Sequence, residues 1–142
     1  MTREAVERID QQGIAAWDGH DVDGFVGLFA DDFTWTDLTL PEPMRTTEQA
    51  RRYMQGWFTA FPDMRVTQTN RVVGDDAVAA ELEFTGTNTG PMLMGDAEVP
   101  PTGKSVVGRG AYFAQVNQDG QIVRFSSHPD VAGLMMQLGI NP

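Results

Sequence analysis

The chain has 142 residues, which is enough for one domain with a real core and too few for two comfortable ones. Its 10 Lys and Arg against 20 Asp and Glu give a net charge of −10, which argues against binding nucleic acid through phosphates and against docking on anionic lipid. The absence of cysteine excludes disulfides, thiolate zinc sites and cysteine nucleophiles, and it suits a reducing cytoplasm.

Two helices and a strand are predicted for residues 2–38. Over residues 2–17 the apolar side chains recur on one helical face, at Val6, Ile9, Gly13 and Trp17. Asp21 then caps a short second helix, whose apolar residues are Val22, Phe25, Val26 and Phe29. Residues 33–38 alternate and are rich in Thr and aromatic side chains, which predicts a strand with Trp35 and Asp37 on one face.

The third predicted helix has the clearest period in the chain. It follows a loop at residues 40–43, and Thr46 and Gln49 have the spacing of a capping box at its start. Pro62 ends the helix, whose apolar face comprises Ala50, Tyr53, Met54, Trp57, Phe58 and Phe61. These aromatic side chains are expected to be buried and to line part of a pocket.

Three or four strands are predicted in the second half, over roughly residues 64–73, 77–87, 104–116 and 121–127, with hairpin turns at 75–76 and 118–120. Residues 89–103 contain three Pro and three Gly and are predicted to form a loop. The last strand runs into His128-Pro129-Asp130, and a short amphipathic helix follows. Helices gathered at one side of an antiparallel sheet define the α+β class. We expect a single domain over residues 1–142, in which a curved antiparallel sheet wrapped by the N-terminal helices makes a cone around an apolar pocket.

The first ten residues are charged and lack the apolar region of a signal peptide. No apolar run approaches the roughly 18 residues of a membrane span. The acids are scattered without metal-ligand spacing, and no glycine-rich phosphate loop is present. We therefore expect a cytoplasmic protein with no metal, no membrane partner and no nucleic-acid partner.

The order of elements resembles the nuclear transport factor 2-like cone that ketosteroid isomerase and scytalone dehydratase share. Within that group the chain is similar to the SnoaL-like polyketide cyclases. The similar segments are WFTAFPD at 57–63, FTGTNTG at 84–90, PPTGK at 100–104, and the stretch from Asp130 to QLG at 137–139. They span most of the chain in the order found in the family.

The resemblance implies a function. Members of the family include cyclases that close a ring by intramolecular aldol condensation, using an acid at the position of Asp130 and neither metal nor organic cofactor. Related proteins include cofactor-independent hydroxylases and epoxide hydrolases. The chain departs from many relatives at Asn88, where they have histidine. It also has Ala111 where epoxide-hydrolase-like proteins have the acid of Arg-x-Asp, which argues against epoxide hydrolysis.

Asp130 is the first candidate for catalysis. One carboxylate can remove a proton beside a carbonyl and return it to the new alkoxide if apolar surroundings raise its pKa. The alternative is a helix N-cap, a position where Asp is common. His128 lies two residues earlier, so an extended chain puts both on one face, where the histidine can orient the acid, bind a substrate oxygen or carry a proton. Its alternative is a surface histidine before a proline turn, and His20 is expected in an exposed helix–helix turn.

Further candidates lie on the strands. Asp37 would be a second acid and Trp35 a wall for a flat substrate, unless Asp37 ends an edge strand in water. Arg109 shares a face with Phe113 and would hold an enolate or carboxyl oxygen, unless it faces outward on a sheet packed against a partner subunit. Asn88 would donate to a substrate carbonyl, unless it closes the turn before Gly90. Tyr53, Trp57 and Phe113 complete the predicted substrate contacts.

The leading hypothesis is a cyclase or isomerase that acts on a hydrophobic, polyketide-like small molecule by acid–base chemistry without a cofactor. A second enzyme hypothesis is a cofactor-independent hydroxylase or a pericyclic cyclase, in which the pocket mainly positions the substrate. A third is a protein that binds a small molecule without converting it. The resemblance also implies a homodimer, because relatives pair through their sheets.

Overall fold

The computed structural model describes residues 1–94 and 96–140, and within them the chain forms four helices and seven strands. The helices are α1 (Arg3–Asp18), α2 (Val22–Val26), α3 (Thr47–Ala60) and α4 (Val131–Leu138). The strands are β1 (Phe29–Asp37), β2 (Arg65–Val73), β3 (Ala77–Thr87), β4 (Met92–Met94), β5 (Ala97–Val99), β6 (Ser105–Val116) and β7 (Ile122–Pro129). None of the helices so described is long and apolar enough to cross a membrane.

Five strands form one sheet in the order β1-β7-β6-β3-β2. The pairs β7-β6, β6-β3 and β3-β2 are antiparallel, whereas β1 runs parallel to β7. The α+β class is therefore confirmed, but the sheet is mixed, and the prediction of an entirely antiparallel sheet is wrong. Only a hairpin forces neighbouring strands to be antiparallel, and β1 reaches β7 from the other end of the chain. Strands β1 and β2 are the two edges, so the sheet does not close into a barrel.

One face of the sheet is covered by helices and lined with aromatic rings. Trp57 of α3 meets Phe84 of β3 at 5.5 Å between ring centroids, and Tyr53, one turn earlier, meets Trp35 of β1 at 5.2 Å. Gly108 of β6 lets the ring of Phe84 lie directly on the strand, because a Cβ there would be 2.0 Å from Cζ of that ring. Large rings dominate the energetics of such a core.

The predicted helix starts at Thr46 and Asp21 are confirmed. The hydroxyl of Thr46 accepts a hydrogen bond from the backbone of Gln49 at 3.2 Å, and the Gln49 side chain accepts one from the backbone of Thr46, which completes the capping box. Asp21 accepts from the backbone N–H of Gly24 at 2.9 Å at the start of α2. Local hydrogen bonding thus fixes where both helices begin.

Two boundaries differ from the predicted ones. Phe29, predicted on the second helix, is the first residue of β1, because α2 ends at Val26 and Gly27 is its C-cap. Residues 89–103, predicted to form a loop, contain the small antiparallel pair β4-β5. The apolar run at the start of this segment pairs with the segment before the two prolines, a contact that composition alone does not reveal.

The turn between α1 and α2 is packed rather than exposed, so the prediction for His20 is wrong. Its ring stacks on Phe58 of α3 with 4.2 Å between centroids, and its Nε2 lies 2.7 Å from the carbonyl oxygen of Met64. His20 adopts a φ of 56°, the left-handed region that few non-glycine residues visit. Its side chain therefore contacts both the last turn of α3, at Phe58, and the residue before β2, Met64.

Helix α4 is docked against β6 by backbone and side-chain hydrogen bonds. Pairing between β7 and β6 begins at Pro129 and Gly110, and the N–H of Asp130 donates to the carbonyl of Arg109 at 2.9 Å, so residues 105–108 of β6 lie beyond this pairing. The amide of Gln137 donates to the carbonyl of Val107 and accepts from its N–H, both at 2.8 Å. Gly139 then ends the helix with a φ of 73°.

Asp18 joins the end of α1 to β2. Its carboxylate accepts from Nε and Nη2 of Arg65 at 2.8 and 2.9 Å and from the backbone N–H of Val66 at 2.9 Å. These hydrogen bonds lower the pKa of Asp18 from 3.8 to about 2. Because the folded-state pKa is depressed, the interaction stabilises the fold above about pH 4, and this stabilisation is lost as the pH falls toward 2.

We predict that Asp18→Asn lowers the free energy of unfolding at pH 7 by about 1 kcal/mol, a modest loss because the pair is largely solvated. Urea unfolding measured at several pH values checks this, and the difference from the wild type should shrink as the pH falls through the range just given. Asp75→Asn, in the β2–β3 turn, is the matched control and should behave as the wild type. An equal loss for Asp18→Asn at every pH would contradict the electrostatic explanation.

Candidate active site

A cavity of about 100 Å³ lies between α1, α3 and the inner face of the sheet. Helix α1 contributes Val6, Ile9, Asp10, Gly13, Ile14 and Trp17, and α3 contributes Tyr53 and Trp57. Most of the remaining lining comes from β3, β6 and β7, with Trp35 from β1. The cavity surface is predominantly apolar, so the few polar groups that reach it decide its chemistry.

An aromatic wall crosses this cavity and connects its two tyrosines. The ring of Tyr53 contacts Trp35 at 5.2 Å, Trp35 contacts Phe125 at 5.3 Å, and Phe125 stacks on Tyr112 at 5.5 Å. We call Tyr53, Trp35, Phe125 and Tyr112 the aromatic wall. It presents two hydroxyl groups at its ends with two apolar rings between them.

Asp37 anchors one end of the wall. The residue is 2% exposed, and its Oδ2 accepts from the hydroxyl of Tyr53 at 2.6 Å and from the hydroxyl of Ser127. Oδ1 accepts from the backbone and side chain of Thr39. Ser127 in turn accepts from Nε1 of Trp35 at 2.9 Å. Asp37 therefore does not end in water; it fixes the hydroxyls of Tyr53 and Ser127, both of which line the cavity.

Asp10 anchors the other end, and sequence reasoning missed it. It is 6% exposed and lines the cavity. Its Oδ1 accepts from the hydroxyl of Tyr112 at 2.5 Å, and its Oδ2 accepts from Gln68 at 2.8 Å and from Arg71 at 3.4 Å. Gln68 also donates to the Tyr112 hydroxyl at 2.7 Å. A signal was present in the sequence, because Asp10 falls between Val6 and Gly13 on the apolar face of the first helix.

A register shift in β2 makes the Asp10 cluster possible. Strand pairing with β3 shifts between Gln68 and Asn70, which inserts an extra residue into β2. Gln68 and Arg71, three positions apart, therefore both turn toward α1, where strict alternation would have pointed one of them away. Arg71 also binds Glu7 of α1 at 2.6 Å, so it bridges two carboxylates.

Burial keeps both tyrosines protonated. Burial away from water is the largest cause that raises the pKa of Tyr53, followed by the charge of Asp37 and the hydrogen bond to it. Burial likewise raises the pKa of Tyr112, and the hydrogen bond to Asp10 adds to the shift. Both hydroxyls are therefore hydrogen-bond donors at every physiological pH.

Asp130 is the N-cap of α4. Its Oδ1 accepts from the backbone N–H of Gly133 at 2.9 Å, and the residue is exposed. It does not line the cavity. The apolar surroundings expected for its carboxylate are thus not found in the described chain, and the geometry is that of the capping alternative. Its catalytic role remains a prediction.

The other predicted residues of β6 and β7 are Arg109, Phe113 and His128, and all three are exposed. Phe113 is 39% exposed and does not line the cavity, so its assignment as a pocket contact is wrong. Its neighbour Tyr112 faces inward, since successive side chains of a strand alternate. Arg109 and His128 border the cavity and are exposed; alternation, with Ser127 facing inward, directs the His128 side chain outward.

Asn88 is a structural residue. It is fully buried, and its side-chain amide donates to the carbonyls of Ala60 and Gly90, both at 3.0 Å. Its side-chain oxygen accepts from the backbone N–H and the hydroxyl of Thr102. These four bonds leave it no free donor for a substrate carbonyl, so that prediction is corrected in favour of the turn.

Trp35, Tyr53 and Trp57 line the cavity. Within residues 1–94 and 96–140, no three His, Cys, Asp or Glu side chains come together in a metal-binding group. Asp10, which lines the cavity, and Asp37, which lies behind it, are instead paired with hydroxyl, amide and guanidinium donors.

This architecture is that of the ketosteroid isomerase-like proteins. A hypothetical protein of that fold from Catenulispora acidiphila superposes with a TM-score of 0.74 at 20% identity, covering 94% of this chain and 93% of that chain. AclR from Streptomyces galilaeus, a proposed hydroxylase, superposes with a TM-score of 0.83 at 23% identity, covering 100% of this chain and 89% of that chain.

IdmH from Streptomyces antibioticus, a proposed polyketide cyclase, is 26% identical, with a TM-score of 0.76 and coverage of 94% of this chain and 98% of that chain. The model of the SnoaL-like domain matches residues 11–125. The chain belongs to the SnoaL-like domain family, as its sequence segments indicate.

We predict that neither tyrosine ionises while the protein is folded. The chain has two tyrosines, and both have raised pKa values, so tyrosinate absorbance should not develop near pH 10, where free tyrosine ionises. A tyrosine whose pKa is higher in the folded than in the unfolded chain contributes stability that is fully present below the unfolded pKa and is lost as the pH rises toward the folded pKa. Alkaline unfolding and tyrosine ionisation should therefore coincide. A spectrophotometric titration followed in parallel by circular dichroism measures both. If half of the total absorbance change developed near pH 10 while the circular dichroism stayed native, one of the two hydroxyls would not be buried.

Proposed function

We propose that the chain is a polyketide cyclase or isomerase that works by acid–base chemistry on an apolar, carbonyl-bearing small molecule in the cavity behind the aromatic wall. The observation that carries the proposal is the wall itself, an apolar surface with a carboxylate-bound tyrosine hydroxyl at each end. Membership of a family that includes polyketide cyclases supports the same substrate class.

The proposed base is Asp10. It is the carboxylate that borders the cavity, and its three donors leave one of about four acceptor positions for a ligand. In the proposed reaction it takes a proton from a carbon beside a carbonyl, and the electron pair moves to the carbonyl oxygen. The enolate carbon then bonds to a second carbonyl carbon of the same molecule, and the resulting alkoxide takes the proton back. No atom is gained or lost overall.

Tyr53 is the proposed donor to the oxygen that becomes negative. The one proton of this hydroxyl is donated to Asp37 in the structure, so the scheme requires the O–H to turn from Asp37 to the substrate oxygen. The raised pKa of Tyr53 keeps the proton on the hydroxyl, which then holds an enolate by hydrogen bonding without transferring the proton fully. Asp37 is a positioning residue in this scheme, because it holds the hydroxyls of Tyr53 and Ser127 and does not itself border the cavity.

We predict that Asp10→Asn lowers kcat by about 10² to 10⁴, the range typical of a lost general base, with a smaller change in KM. Tyr53→Phe should lower kcat by about 10² to 10³, because it removes a donor to the developing oxyanion. The assay incubates linear β-polyketone methyl esters with each variant and follows ring closure by liquid chromatography and mass spectrometry.

Glu7→Gln is the matched control for Asp10→Asn, because both carboxylates bind Arg71 and Glu7 does not line the cavity. Turnover that survives Asp10→Asn contradicts the proposed base. Ligands that bind without conversion by the wild type favour a binding protein. Incorporation of oxygen from labelled O2 favours a hydroxylase.

A pair of variants separates the two roles of Asp130. Asparagine caps a helix about as well as aspartate, whereas alanine loses the cap at about 1 kcal/mol. We predict that Asp130→Asn keeps both stability and turnover, and that Asp130→Ala lowers the free energy of unfolding without a separate loss of kcat. If Asp130→Asn folds normally and abolishes turnover, Asp130 is the catalytic acid, as the family resemblance implies.

A further inference from the structure

A second, larger depression shares two residues with the cavity. It has a volume of about 810 Å³, and Tyr53 and Trp57 line both spaces. We call it the outer groove. Most of its lining is apolar and includes Leu38, Met44, Met92, Leu93 and Met135. The groove is thus formed where the segment after β1, α3, β4 and α4 meet.

The two volumes differ in what they can hold. Sites for drug-sized ligands typically measure about 300–1,000 Å³, so the cavity of about 100 Å³ takes only a small group. The outer groove falls within the typical range. A molecule of polyketide size that reaches the aromatic wall must therefore leave most of its atoms outside the cavity, and the outer groove adjoins the cavity at Tyr53 and Trp57, which line both.

The groove is suited to an apolar chain. The groove is lined by Met44, Met92 and Met135, and unbranched thioether side chains adapt to irregular ligands. Leu38 and Leu93 lie in the same lining and are 66% and 65% exposed, so apolar surface is left uncovered on two of its walls. Burial of a hydrocarbon chain between these walls would remove that surface from water.

We infer that the outer groove binds a flexible apolar chain of the substrate, while the carbonyl-bearing end of the same molecule passes Tyr53 and Trp57 into the cavity. The inference rests on the proposed function for the choice of the reactive end. It adds the substrate class, namely an elongated molecule with a polar β-dicarbonyl head and a hydrocarbon tail.

Methionine-methyl NMR of the full chain tests the inference with two probes, acetylacetone and its homologue carrying a decyl chain. Met64 lines the cavity, whereas Met44, Met92 and Met135 line the groove. Acetylacetone should shift the methyl signal of Met64 alone. The decyl homologue should shift Met64 and the three groove methionines. Met136, which is 81% exposed and lines neither space, is the internal control.

Affinity gives a second readout. The decyl chain should tighten binding by roughly 10²-fold or more, since each buried methylene contributes severalfold. Leu38→Gln and Leu93→Gln should each remove part of that gain and leave acetylacetone binding unchanged. Val72→Gln, at a position on β2 that is 69% exposed, is the matched control and should keep the full gain.

The inference is overturned if the decyl homologue leaves the groove methionines unshifted, or if its affinity equals that of acetylacetone. It is also overturned if a second copy of the chain fills the groove, which light scattering would reveal as a dimer that Leu38→Gln and Leu93→Gln dissociate. No turnover is read in these measurements, so failure of the proposed acid–base chemistry leaves the result for the groove standing.

Discussion

The parallel pairing of β1 with β7 is the constraint on which the site depends. It sets Trp35 opposite Phe125 and Asp37 opposite Ser127, in pairs separated by about 90 positions along the chain. Without this register Trp35 and Phe125 would not meet at the centre of the aromatic wall, and Asp37 would lose its hydrogen bond from Ser127. The pairing closes a long loop, a conformational cost that grows only slowly with length. Aromatic burial on the inner face offsets that cost.

The two buried carboxylates are stabilised in different ways. Asp10 binds Arg71, so a cation neutralises it directly, although Arg71 is shared with Glu7. Asp37 is held by two hydroxyls together with the backbone and side chain of Thr39, which are dipoles rather than charges. A buried carboxylate needs one compensation or the other. The two ends of the aromatic wall therefore differ in local charge, which favours one orientation of a polarised ligand over its reverse.

Local signals in the sequence predicted much of the fold and less of the site. The capping box at Thr46 and the period of α3 are short-range patterns, and both are confirmed. The direction of β1 and the register shift in β2 depend on distant strands, which one-dimensional patterns do not contain. The site followed the same division. The face of Trp35 and Asp37 was predicted from alternation within one strand, whereas the inner face of β6 was assigned to the side of Phe113, although Tyr112 lies there. Asp10 could have been found by treating an acid on the apolar face of a helix as a sign of a functional site.

The link between Gln137 and Val107 has a consequence for solubility. Residues 105–108 of β6 extend beyond the pairing with β7 and Asp130, and unpaired strand backbone is a template onto which another chain can add a strand. The side-chain amide of Gln137 occupies the N–H and the carbonyl of Val107 in that stretch, in the way a neighbouring strand would. The terminal helix thus protects a strand edge, and this protection lasts only while the helix remains docked. Fraying of α4 would expose an unpaired strand edge, next to the exposed side chain of Val107, to which another chain could pair before the rest of the domain unfolds.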